Sequence, residues 1–133
     1  MRLIKLTIVC LAVLTFFIVA APANCAASTA NEVYVCKFHD GKSMPDLLAV
    51  IEEWKAVIKT MDGGDTYSAS ILMPIASDDL SSIVWVGEAP DAATLGSLAD
   101  QYATNDSGRE VNAKFGEVIT CQSRSLWRVH KVK

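Results

Sequence analysis

Apolar positions along the chain change period several times, and each change marks a predicted element. The segment Glu32-Val33-Tyr34-Val35-Cys36-Lys37-Phe38 is rich in β-branched and aromatic residues and is closed by Asp40-Gly41, which predicts a strand. Ser43, Pro45 and Asp46 then supply a cap, an early proline and an acid three residues after the cap, the marks of a helix start. Leu47, Val50, Ile51, Trp54, Val57, Ile58 and Met61 recur at spacings of three and four, giving one apolar helix face that ends at Asp62-Gly63-Gly64-Asp65. From Tyr67 to Ile75 the alternation of Tyr67, Ala69, Ile71, Met73 and Ile75 with their neighbours predicts a second strand, with Pro74 implying an edge or a bulge. Ile83-Val84-Trp85-Val86 is apolar at successive positions, so both sides of this third strand are expected to be covered.

The second half repeats the sequence of helix and strand. Pro90 and Asp91 open a helix whose stripe is Leu95, Leu98, Ala99 and Tyr102. Asn105-Asp106-Ser107-Gly108 interrupts it, and a short further helix carries Val111, Phe115 and Val118. A closing strand is expected between Val118 and Val132, with Leu126, Trp127 and Val129 as its heavy residues. The order β-α-β-β-α-β, with the second helix broken in two, is that of an α+β, ferredoxin-like antiparallel sheet with helices on one face.

The first residues do not belong to this pattern. Arg2 and Lys5 precede an uncharged, mostly apolar run from Leu6 to Ala21 and then the small residues Pro22 to Ala27, the three parts of a secretory signal peptide. The run is short for a bilayer span of about 20 residues. We read residues 1–25 as the signal, with cleavage between 23 and 27, and 26–133 as a single domain. Ala21-Pro22-Ala23 is the best small-x-small match, and Pro22 and Asn24 spoil a lipid-anchor pattern at Cys25. The mature chain is then expected to be periplasmic or secreted, with no membrane span. Removing Arg2 and Lys5 leaves 10 basic residues against 15 acidic ones, a formal charge of −5. That acidity argues against nucleic acid as a partner, and an apolar fraction of 51% excludes intrinsic disorder.

Export bears on the cysteines. Cys10 leaves with the signal, Cys25 survives only an early cut, and Cys36 and Cys121 stay. In an oxidising compartment two cysteines read first as one disulfide, the alternative being two separate buried thiols. In the expected topology the end of the first strand lies beside the start of the last, which favours a Cys36–Cys121 bridge. The sequence carries no CxxC, and His39 and His130 complete no ligand spacing, so neither a metal nor another cofactor is expected.

A short chain of this order with a doubly apolar third strand resembles the dimeric α/β barrel superfamily. Val35-Cys36-Lys37-Phe38, Asp40-Gly41-Lys42-Ser43, the helix bearing Trp54, Val84-Trp85-Val86-Gly87 with Ala89-Pro90, and the late Cys121 resemble exported proteobacterial members of unassigned function. The resemblance covers roughly residues 31–130. It implies a homodimer joined through the sheet face. It also implies a ligand cavity, where there is one, between sheet and helices. The superfamily includes cofactor-free monooxygenases and isomerases and many members without known activity, so the fold does not fix a reaction.

Chemistry-bearing residues are sparse. Tyr34, Phe38, Trp54, Trp85 and Trp127 come from four elements that should converge, and they form either ordinary core or the lining of an apolar pocket. His39 and Tyr34 are weak candidates for moving a proton; His39 reads first as a strand-end surface residue. Glu52-Glu53 and Asp78-Asp79 read as solvation and turn chemistry, and Arg124, Arg128, Lys131 and Lys133 as a charged strand edge. With no convergent catalytic set, the sequence reading is a non-catalytic binding or interaction module with an apolar small-ligand pocket. The alternative is a cofactor-free enzyme of the monooxygenase or isomerase type.

Overall fold

The computed structural model describes residues 28–130 and 132. The expected signal segment 1–25, with Cys25 at its end, lies outside the described residues. Four strands and three α-helices follow in the order β1 (Ala30–Phe38), α1 (Met44–Ile58), β2 (Ser68–Leu72), β3 (Ser82–Ala89), α2 (Ala92–Thr104), α3 (Asp106–Val118) and β4 (Ile119–Arg128). The sheet is antiparallel throughout, ordered β2-β3-β1-β4, which is the ferredoxin-like arrangement.

Local chemistry explains the boundaries. The Ser43 N–H donates to Asp46 Oδ2 at 2.9 Å, closing the first turn of α1. The Asp91 carboxylate caps α2 by accepting from the Thr94 N–H at 2.8 Å. Between α2 and α3 a single residue, Asn105, is extended (φ −79°, ψ 133°) and caps α3 through its side chain. At 13 residues, α3 is as long as α2, longer than the short helix the sequence suggested. Conversely β2 ends at Leu72, short of the expected Ile75. Pro74 brings no N–H to a ladder, and Ile75 is left 101% exposed.

Strand parity divides the sheet into two faces. Cys36 and Ile83 face the helices and join Leu47, Val50, Ile51, Val111 and Val118 in the main core. Val33, Val35, Val84 and Val86, paired across β1 and β3, point the other way and belong to none of the core clusters. Both sides of β3 were expected to be covered, yet within the described chain only one carries helices. Cys36 and Cys121 are joined by a disulfide between directly paired residues of β1 and β4. Among the described residues, no helix is long and apolar enough to cross a membrane.

Candidate functional site

Between the helix-facing side of the sheet and the three helices lies a cavity of about 440 Å³, within the roughly 300–1,000 Å³ usual for small-molecule sites. Its floor is the sheet: Glu32, Tyr34 and Cys36 of β1, Trp85 of β3, and Cys121 and Arg124 of β4. Trp54 and Ile58 of α1, Leu98 and Tyr102 of α2, and Asn112 and Phe115 of α3 supply the walls. Trp54 and Trp85 meet edge to face at a centroid separation of 5.0 Å, and Phe115 stands against Trp85 at 6.0 Å. Edge-to-face rings hold one another at fixed angles, so this wall has a defined shape.

One polar cluster interrupts the apolar lining. The Glu32 side chain, only 13% exposed, accepts hydrogen bonds from the Tyr67 hydroxyl (2.7 Å), the Tyr34 hydroxyl (3.1 Å) and Arg124 Nη2 (3.1 Å). The Tyr67 oxygen in turn accepts from Trp85 Nε1 at 3.2 Å. The Arg124 guanidinium lies over the Tyr34 ring, 5.4 Å from its centroid. An unpaired carboxylate in such a site would be costly to bury, and three donors compensate it.

All three tyrosines of the chain line this cavity. Burial, then the adjacent Glu32, pushes Tyr34 up to about 12. Burial and the same carboxylate raise Tyr67 further, and burial alone takes Tyr102 to about 12. All three are therefore neutral hydrogen-bond donors at neutral pH. The Tyr102 hydroxyl is buried without a hydrogen-bond partner among the described residues, a state that costs about 1–3 kcal/mol.

The aromatic residues expected to converge do so only in part. Tyr34, Trp54 and Trp85 line the cavity. Phe38 instead packs into the main core beside it. Trp127 is on the opposite face of the sheet, 60% exposed, its indole donating to Ser125 Oγ at 2.8 Å. The reason is a β-bulge. Cys36 pairs with Cys121 but Val35 pairs with Ser123, so Gln122 has no partner and parity reverses beyond it. Ile119 and Cys121 face the cavity before the bulge and Arg124 after it, while Trp127, opposite Asn31, is turned away. His39 lies past the end of β1, against Thr120 Oγ1 at 2.5 Å, and does not line the cavity.

Sequence reasoning missed Glu32, Tyr67 and Arg124 as site residues. Their contacts span 35 and 92 residues, beyond any local pattern. For Tyr67 a signal was present: Gly87, a glycine inside a strand, marks a close approach by another group. That group is the Tyr67 hydroxyl.

No protein-family model matches the chain, and no curated protein matches it. Solved structures do. SnoaB, a cofactor-independent oxygenase from Streptomyces nogalater, superposes with a TM-score of 0.59 at 12% identity, over 80% of this chain and 97% of that one. A NIPSNAP family protein of unknown function from Agrobacterium tumefaciens gives 0.60 at 12% identity, over 80% and 93%. A hydroxynitrile lyase from Passiflora edulis gives 0.54 at 6% identity, over 80% and 98%. At such identities the likeness is one of fold alone, that of the four-stranded antiparallel sheet with its helices on one face.

Proposed function

We propose that the chain is an exported, homodimeric binding module that holds a small, largely apolar molecule in the cavity between sheet and helices. The observation that carries this reading is the cavity itself. About 440 Å³ is walled by interlocked Trp54, Trp85 and Phe115 and carries a single compensated polar cluster at Glu32. The open sheet face supports the homodimer. Its strip of Val33, Val35, Val84 and Val86 is flanked by Leu72 and Trp127, 54% and 60% exposed. The disulfide and the signal-like residues 1–25 support export and cleavage, because a disulfide persists in an oxidising compartment.

Native mass spectrometry of the protein purified from its own host tests the reading. The expected result is a non-covalent dimer of chains that each hold the Cys36–Cys121 disulfide, with a non-covalent adduct on each subunit. A Cβ at Gly116, which lines the cavity, would meet nothing within 4 Å. Gly116→Phe should therefore fill the space and abolish the adduct while the dimer remains. An adduct that survives the plug, or a wild-type dimer with none, overturns the reading.

A second reading is supported by Glu32, a carboxylate set in an aromatic cavity. The fold carries cofactor-independent oxygenation in SnoaB. Here Glu32 would accept a proton from a bound substrate, with Tyr34 and Tyr67 supporting its charge through the hydrogen bonds they already donate. Turnover of a bound molecule that is lost in Glu32→Gln, with binding retained, would favour this reading over the first.

A further inference from the structure

The donor and acceptor inventory of the cavity narrows the chemistry of its ligand. Among the lining residues Glu32 is the one acid and Arg124 the one base, and they are paired with each other. The site therefore presents no uncompensated charge. Glu32 Oε2 accepts two hydrogen bonds, from Tyr34 and Arg124, which occupy both of its lone pairs. Oε1 accepts one, from Tyr67, and keeps a second acceptor position. Arg124 has five N–H donors and gives one of them to Glu32; the others make no hydrogen bond to the described residues. Its side chain is 48% exposed, at the β4 side of the cavity.

The Glu32–Arg124 pair thus offers one unused acceptor and several unused donors at one end of an apolar cavity, whose other polar lining groups are Asn112 and the unpartnered hydroxyl of Tyr102. A hydroxyl group satisfies both, since it donates once and accepts as well. A carboxylate satisfies only the donors and brings a second negative charge beside Glu32, where low polarity strengthens the repulsion. A bare hydrocarbon satisfies neither.

Building on the binding reading above, we propose that the cavity selects a neutral aromatic or alicyclic alcohol or phenol. Its hydroxyl donates to Glu32 Oε1 and accepts from Arg124, and its ring system packs against Trp54, Trp85 and Phe115.

Equilibrium dialysis of the purified dimer at neutral pH against β-naphthol, naphthalene and β-naphthoate tests this. The wild-type protein should bind β-naphthol about tenfold more tightly than naphthalene, one added hydrogen-bond pair being worth about that factor. β-Naphthoate should bind most weakly. Glu32→Gln keeps the size and removes the charge, so β-naphthoate should gain at least about tenfold relative to β-naphthol as Arg124 is released. Arg124→Gln, on an edge strand, tests the same pair without a change in the buried carboxylate; β-naphthol should lose most of its advantage over naphthalene. Tightest binding of β-naphthoate by the wild type, or equal binding of β-naphthol and naphthalene, overturns the assignment while leaving the cavity a binding site. Failure of all three probes to bind overturns the binding reading itself.

Discussion

The hydroxyl of Tyr67 stands where a side chain of Gly87 would begin: a Cβ at Gly87 would lie 1.8 Å from the Tyr67 oxygen and 2.9 Å from Glu32 Cγ. The glycine is thus required for the Tyr67–Glu32 hydrogen bond, because any larger residue on β3 would displace both partners. Gly87→Ala should destabilise the fold by about 1–3 kcal/mol, the usual cost of forced overpacking. Gly96→Ala is the control. It sits on the exposed face of α2 with open space around it and should stabilise by about 1 kcal/mol through helix propensity. Urea denaturation of the two variants checks both signs.

Tyrosine ionisation should follow the same cluster. Each of the three phenols has its folded pKa raised above the ordinary 10, Tyr34 and Tyr102 to about 12, mainly by burial. A raised phenol binds its proton more tightly in the folded state than in the unfolded one. Its contribution to stability is therefore whole below pH 10 and lost as the pH climbs from 10 towards 12. Ultraviolet titration should show essentially no tyrosinate in the folded protein at pH 10, where half would form in the unfolded chain. A titration matching free tyrosine would show that the cavity is wet enough to solvate the phenolates.

The disulfide closes a loop with a sequence separation of 85 residues. Loss of both sulfurs in a Cys36→Ala/Cys121→Ala variant should cost about 2–5 kcal/mol, largely by freeing the unfolded chain. The bond also pins β4 immediately before its bulge, at the point where an edge strand is most able to slip. Denaturant midpoints of the oxidised and double-alanine proteins give the magnitude. A difference below about 1 kcal/mol would mean that the unfolded chain is already restrained without the bond.

On the open face of the sheet, Val84→Asp should separate the proposed dimer. It places a charge in the valine strip and leaves the helix side of β3 untouched. Sedimentation equilibrium should report a monomer with native circular dichroism. A variant that remains dimeric would place the subunit contact elsewhere.

Much of the fold was legible because it rests on local pattern. The three-and-four spacing from Leu47 to Ile58, the Asp91 cap and the apolar run Ile83–Val86 each identify an element by themselves. The site was legible only where the pattern stayed regular. Trp54 and Trp85 sit where their periodicities place them, in the cavity wall. Trp127 does not, because the bulge at Gln122 is invisible to a count of alternate residues. Arg124, whose charge suggests a solvated edge, turns inward for the same reason. Glu32 could have been recognised from parity alone, since it shares a face with Tyr34 and Cys36. What parity could not supply was the set of donors that makes a buried acid tolerable.

The unpaired Gln122 also determines where the chain can change length. Loss of Gln122 would leave Cys121 followed by Ser123, a regular alternation in which every later residue keeps its present face. Loss of a residue further on, with the bulge at Gln122 kept, would exchange the surfaces beyond it, drawing Trp127 towards the cavity and turning Leu126 to the open face. Deletions in β4 are thus unequal: next to the bulge they are absorbed by its loss, and further along the strand they change the cavity lining and the open sheet face together.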